Sequence, residues 1–173
     1  CSDDVLGEAP TAETVVGTSA VELATGLREL ATRHDRVALK MTRCASAMGN
    51  EVFESQEVLG WDREALVSRV ERFLSEKEWN ADEPVLVVQW FDIQSSPSTQ
   101  LWVPPLGQGQ PTVDGVYEQL LEGEECVFLG SVPSRLGAEM DERLSVASVR
   151  VARVFQELGY VGRCSFDFVI SGG

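Results

Sequence analysis

The segment Arg163 to Ile170, RCSFDFVI, alternates without a break. Cys164, Phe166, Phe168 and Ile170 fall on one side, and Arg163, Ser165, Asp167 and Val169 on the other. That period belongs to a strand and not to a helix. It calls for a sheet with one face on a core and the other free. The chain must therefore supply a layer over the aromatic side, and Arg163, Ser165 and Asp167 project together from the opposite face. Leu144, Ala147, Val151, Val154, Phe155 and Leu158 recur at helical spacing, which predicts a helix from Asp141 to Leu158 stopped by Gly159.

A second buried strand is written differently. Val85 to Phe91, VLVVQWF, is almost continuously apolar and short, as expected of a strand covered on both faces. Arg36 to Met41, RVALKM, alternates, with Val37, Leu39 and Met41 inward and Lys40 outward. The small-residue stretch Thr42 to Asn50 reads as a loop, and Glu51 to Glu54 as the returning strand of a hairpin. Further strands are expected at Ser98 to Val103 and Cys126 to Val132, with a turn at Pro104, Pro105, Gly107 and Gly109.

Two more helices complete the elements. Ser19 with Glu22 forms a capping box, followed by Leu23, Leu27 and Leu30, in a helix ending near His34. Asp62 caps another, with Trp61 stapled to Leu66 and an apolar stripe of Leu66, Val67, Val70, Phe73 and Leu74. His34 is expected to face solvent at its helix end. Strands mixed with helices in this order give an α+β class with mixed sheets. The expected division is an irregular lead-in over 1–17, a first lobe over 18–91 and part of a second over 92–173.

Composition narrows the function. The chain has 173 residues and a net charge of −14, with no basic stretch, which argues against nucleic-acid binding. No apolar run reaches the length of about 18 residues that a membrane helix needs, and no signal peptide is expected. The four cysteines, Cys1, Cys44, Cys126 and Cys164, fit no metal spacing and read as free thiols, which points to a reducing, cytoplasmic setting. With Cys1 in place of Met, the chain is expected to be a fragment or a processed product.

Three places could carry chemistry. Lys40 stands on a strand before a loop ending in Gly49 and Asn50, where a lysine and backbone N–H groups can hold phosphate. On its own, though, such a lysine reads first as a solvated residue on a strand face. Gln89, Trp90 and Phe91 end a buried strand, where backbone groups and rings could meet an adenine, or could serve core packing alone. Asp167 could be a Mg²⁺ ligand, since Mg²⁺ at phosphates takes one or two carboxylates plus water. It could also be half of a structural pair with Arg163.

The order of these parts resembles the ATP-grasp superfamily, and within it the pheganomycin-type peptide ligases. The segments that carry the likeness are 36–54, SPSTQL at 96–101 and GYVGRCSFDFVI at 159–170, with EQLLEGEECVFLGSVPS at 118–134 between them. The resemblance implies an ATP-grasp fold, two α+β lobes clasping a nucleotide cleft, here incomplete at the C-terminus. It implies a carboxylate–amine ligase working through an acyl phosphate with ATP and Mg²⁺, acting on small-molecule or peptide carboxylates and amines. Lys40, Gly49 and Asn50 would contact phosphates, Gln89 to Phe91 the adenine, Asp167 the metal, and Arg163 the reacting phosphate as a catalytic group. Departures are visible. Cys44, Ala45, Ser46, Ala47 and Met48 stand where the group has more glycine, Gln89 replaces an acid, and Tyr117-Glu118-Gln119 replaces a segment often carrying His and Asp. The second metal-binding element, an acid followed two residues later by Asn, is expected after Asp167, so this stretch alone is expected not to turn over. Two alternatives remain: a non-catalytic ATP-grasp-like module binding nucleotide or protein, and an unrelated α+β protein with Lys40 and Asp167 on its surface.

Overall fold

The computed structural model describes residues 11–43, 49–123 and 126–171. Two compact units are formed, one on Ala12–Phe91 with Leu121–Phe128, the other on Asp92–Leu120 and the described residues from Leu129 onward.

The first unit is an antiparallel sheet of β1 (Thr14–Gly17), β2 (Arg36–Met41), β3 (Asn50–Glu54) and β4 (Val85–Gln89), in the order β1-β4-β2-β3. Thr14–Gly17, at the end of the stretch read as irregular, is an edge strand paired to Leu86–Val88 and Val85 of β4. It was missed because a short edge strand has only one buried residue, Gly17, and so no apolar period. Helices α1 (Ala20–Ala31) and α3 (Arg63–Glu76) bring Leu23, Leu27, Leu30, Leu66, Val70 and Phe73 onto Val37, Leu39, Val85 and Val87. Gly26 lets α1 lie this close, since a Cβ there would sit 3.0 Å from Val15 and 3.3 Å from Val87. A short helix, α2 (Ser55–Gly60), buries Val58 and precedes Trp61, whose ring meets Phe53 edge-on at 6.0 Å.

Coverage of β4 is one-sided in degree. Val85 and Val87 are fully buried beneath the helices, whereas Leu86 and Val88 on the other face are only half-buried. The continuous apolar run overstated the second layer, because hydropathy alone does not distinguish half cover from full cover.

Helix ends follow their caps. Asp62 Oδ1 accepts the Ala65 N–H at 2.8 Å. Ser19 Oγ accepts the Glu22 N–H at 3.3 Å, while the Glu22 carboxylate takes the N–H of Thr18 at 2.9 Å, one residue before the partner that a capping box supplies. Helix α1 stops at Ala31, short of His34, and Arg33 and His34 turn instead to one carboxylate. Glu13 lies 2.5 Å from Arg33 and 2.7 Å from His34. His34 is thus half-sheltered against Glu13, and not the solvent-facing residue its position at a helix end suggested.

The second unit holds β6 (Pro97–Val103), β9 (Gly162–Asp167) and all but the Leu121–Phe128 portion of β7 (Thr112–Glu122) and β8 (Val127–Pro133), in a sheet of order β8-β7-β6-β9. A two-stranded ladder joins β5 (Ile93–Ser95) to β10 (Ile170–Ser171). Helix α4 (Ala138–Glu157) covers one face, packing Ala152 and Val149 on Leu101, Val103, Val113, Cys164 and Phe166. Its Ser148 shares a 2.7 Å hydrogen bond with buried Thr99 of β6, and its Gln156 donates to the carbonyls of Pro104 at 2.8 Å and Gly109 at 3.1 Å, tying down the turn. β7 is the long element that patterning passed over: seven of its eleven residues are half-buried and four exposed, so it shows no fully buried side.

Hydrogen bonds from His34, and then from Arg33, hold the Glu13 carboxyl below its usual value of 4.5. A depressed acid gives stability that is present above the unfolded-state value and lost as pH falls through the folded-state one. Glu13→Gln is therefore expected to lower the thermal midpoint at pH 7, and this difference from the unsubstituted chain should vanish as pH is taken well below 4.5. Parallel melts across pH check it.

Candidate functional site

In the first unit, β2 runs between β3 and β4, so its register decides where Lys40 points. Lys40 pairs with Asn50 on β3 and with Leu86 on β4, on the face away from α1 and α3. It is exposed, and among the described residues it makes no ion pair. A lysine left as a free point charge at a strand end suits an anion. Gly49 and Asn50 are buried, and the Gly49 carbonyl accepts the Met41 N–H at 2.9 Å. Cys44 to Met48 lie outside the described residues.

Gln89, Trp90 and Phe91 follow directly on β4 and are half-buried. Two of their donors are already used. The Gln89 N–H donates to Glu13 O at 2.9 Å, and the Trp90 N–H to Arg36 O at 3.0 Å. Sheet bonding ends there, which leaves the Phe91 N–H and the carbonyls as the backbone groups that could meet a ligand.

In the second unit, pairing assembles a polar face that no single segment shows. β9 runs antiparallel to β6, placing Asp167 beside Ser98, Ser165 beside Gln100 and Arg163 beside Trp102. β6 in turn sets Ser98 beside Tyr117 and Gln100 beside Gly115 of β7. Directly paired residues share a face. One side of the sheet therefore carries Asp167, Ser165, Arg163, Ser98, Gln100 and Tyr117, while Leu101, Cys164 and Phe166 point to α4. Ser98, Gln100 and Tyr117 were not singled out as site residues from sequence. Alternation within Pro97–Val103 hinted at the first two, but Tyr117 joins the face only through its pairing.

Arg163 does not pair with Asp167. Its guanidinium lies 3.1 Å from Asp114, a residue of β7 at the point where the β6–β7 register shifts. β6 lies between the two strands, so the arginine reaches across it, over roughly 10 Å of sheet. The bulge supplies the extra residue that makes Asp114 available. With Arg163 77% and Asp114 38% exposed, the pair is weak, about 0–1 kcal/mol. A more highly charged anion could take the arginine from it. Asp167 keeps an exposed carboxylate.

Among the described residues, no cluster of three or more His, Cys, Asp or Glu could hold a metal unaided. Asp167 fits a lesser role, as one hard oxygen donor to an ion that draws its other ligands from phosphate and water. Neither of the two thiols described, Cys126 and Cys164, is in a disulfide, and burial pushes both above the usual thiol value. No helix among the described residues is long and apolar enough to cross a membrane.

No protein-family model matches the chain, and no curated protein does. Solved structures do. D-alanyl-alanine synthetase A from Vibrio cholerae superposes with a TM-score of 0.63 at 13% identity, over 98% of this chain and 49% of the other. An ADP complex of N5-carboxyaminoimidazole ribonucleotide synthetase gives 0.64 at 18%, over 98% and 40%. The biotin carboxylase domain of Hydrogenobacter thermophilus 2-oxoglutarate carboxylase, solved with MgADP, ADP and bicarbonate, gives 0.71 at 17%, over 98% and 35%. The chain spans less than half the length of each. These are ATP-grasp enzymes, and the mixed α+β fold with antiparallel sheets found here is the ATP-grasp fold.

Asp114→Ala should leave unfolding free energy within about 0.5 kcal/mol, as for other exposed pairs. It should also speed solvent exchange of the Arg163 guanidinium protons in NMR. Unchanged exchange would show that the pair does not restrain the arginine in solution.

Proposed function

We propose that this ATP-grasp chain is the ATP-binding part of a carboxylate–amine ligase. The observation that carries the reading is the polar sheet face of the second unit, where Arg163, Ser165 and Asp167 stand in register with Gln100 and Ser98, opposite the helix-covered side. A free Lys40 before a small-residue loop in the first unit supports it. So does the ligand state of a structure of the same fold, the biotin carboxylase domain, solved with MgADP.

The chemistry of such a ligase is balanced in two steps. A substrate carboxylate oxygen attacks the γ-phosphorus of ATP, giving an acyl phosphate and ADP. An amine nitrogen then attacks the acyl carbon, forming the amide as phosphate leaves with its electron pair and the amine loses a proton. The protein positions groups and offsets charge. Lys40 neutralises phosphate oxygens. Gln89 to Phe91 receive the adenine through the Phe91 N–H, the carbonyls and the rings. Asp167 would hold Mg²⁺ through its carboxylate, and the ion would supply charge to offset the phosphates. Arg163, drawn from Asp114, steadies the phosphoryl group. Gly49 and Asn50 end the loop that covers the phosphates against water, which would otherwise hydrolyse the acyl phosphate.

One observation favours a second reading, a module that binds nucleotide or protein without catalysis. The Gln89 and Trp90 N–H groups are committed to the sheet, and Gln89 stands where the resembled group often has an acid. Calorimetry with Mg-ATP tests the binding claim common to the ligase and the nucleotide-binding module. Saturable binding is expected, weakened on the order of 10-fold or more by Lys40→Ala, as for loss of a charge-assisted contact. Absence of binding, or binding indifferent to Lys40, would refute it.

A further inference from the structure

Tyr117-Glu118-Gln119 is the segment in which this chain departs from the group it resembles, and its two polar residues are both engaged. Glu118 pairs with Pro97 across β6–β7, so it lies on the opposite face from Tyr117 and Asp167 and is not a second acid beside the first. Its carboxylate accepts the Ser95 hydroxyl at 2.6 Å and the Ser96 N–H at 2.9 Å. Among the described residues no lysine or arginine pairs with it, so these donors answer the charge of a half-buried group. Gln119 bonds the same turn twice: its side chain donates to Ser96 Oγ at 3.1 Å, and its N–H to Ser96 O at 3.0 Å.

Ser96, 6% exposed, passes this anchoring on. Its hydroxyl reaches the Phe168 carbonyl at 3.3 Å, and the Phe168 N–H donates to Pro97 O at 2.8 Å. Both backbone groups of the residue following Asp167 are thereby held. The next pairing, Ile170 with Ser95, returns to the residue whose hydroxyl Glu118 accepts. Asp167 is the last residue of β9, where a strand otherwise frays.

We propose that Glu118 is a positioning residue for Asp167: through Ser95, Ser96 and Phe168 it fixes the strand end that aims the Asp167 carboxylate. The inference rests on the nucleotide reading above for what Asp167 is aimed at. It gives the departing segment a purpose, since the carboxylate acts from beneath the sheet and not within the site. Supporting groups of this kind typically change metal affinity by 10–100-fold when removed.

The test uses the full chain, labelled with ¹⁵N, and Mn²⁺-ATP as a paramagnetic probe that reports even weak occupancy. In the unsubstituted chain the amide signals of Ser165, Asp167 and Phe168 should broaden selectively, and Asp167→Asn should abolish this. Glu118→Leu, which leaves the Ser96 N–H without its acceptor, should raise the Mn²⁺-ATP concentration needed on the order of 10-fold. It should also speed hydrogen exchange at Phe168 while leaving Leu101 in mid-β6 protected. Glu118→Gln should recover most of the response, because the serine hydroxyl can turn from donor to acceptor toward an amide. Ser95→Ala, a milder change, should shift the response in the same direction, and it serves if the leucine variant does not fold. Broadening in Glu118→Leu or Ser95→Ala at the unsubstituted chain's concentrations would overturn the positioning role and leave the nucleotide reading intact. No selective broadening in the unsubstituted chain, with Phe168 exchange still faster in Glu118→Leu, would overturn that reading and the positioning role with it, leaving only a structural clamp.

Discussion

Strand register under a helical layer is the constraint on which the site depends. Side chains alternate across a strand, so a slip of one residue exchanges its two faces. On β2 a slip would bury Lys40 and expose Val37 and Leu39, both now fully buried. On β9 it would drive Arg163 and Asp167 toward α4 and lift Cys164 and Phe166 out of the core. Burying an unpaired charge costs several kcal/mol, and losing a buried apolar side chain costs about 1.5–3 kcal/mol more. The packing that stabilises each unit therefore also orients the polar groups on its other face.

Each unit secures that register differently. In the first, α1 and α3 form an apolar seam over β2 and β4, with Gly26 permitting close approach. In the second the apolar core is smaller, centred on Leu101, Val103 and Ala152, and hydrogen bonds supplement it. Thr99 to Ser148, Gln156 to the Pro104 turn and Glu118 to the β5–β6 junction each join elements distant in sequence. Each fully satisfied buried bond adds about 1 kcal/mol net and costs more if broken. This pattern suits a sheet that must keep one face polar.

How legible the fold was depended on how residues declare their surroundings. β9 was plain because apolar and polar residues alternate strictly from Arg163 to Asp167, and α3 because Asp62 caps an apolar stripe. β7 was not, since its residues are half-buried or exposed with none fully buried, and Asp114 enters through a bulge. β1 and α2 were too short to show a period. The face of the second unit was half legible: one strand gave Arg163, Ser165 and Asp167, but Ser98, Gln100 and Tyr117 join it through strand order, which composition does not encode. The structural alternative for Asp167, a pair with Arg163, is not formed: Arg163 meets Asp114 instead, because neighbouring strands compete with neighbours in sequence. The roles given to Lys40, Gly49, Asn50, Gln89, Trp90, Phe91, Arg163 and Asp167 remain proposals that the geometry supports.

Photoaffinity labelling with 2-azido-ATP and Mg²⁺, followed by peptide mapping, bears most directly on that central proposal. The azide sits on the adenine ring, so the account predicts covalent attachment within the peptide holding Gln89, Trp90 and Phe91, suppressed by excess ATP. Labelling that ATP does not suppress, or that falls elsewhere in the chain, would contradict it.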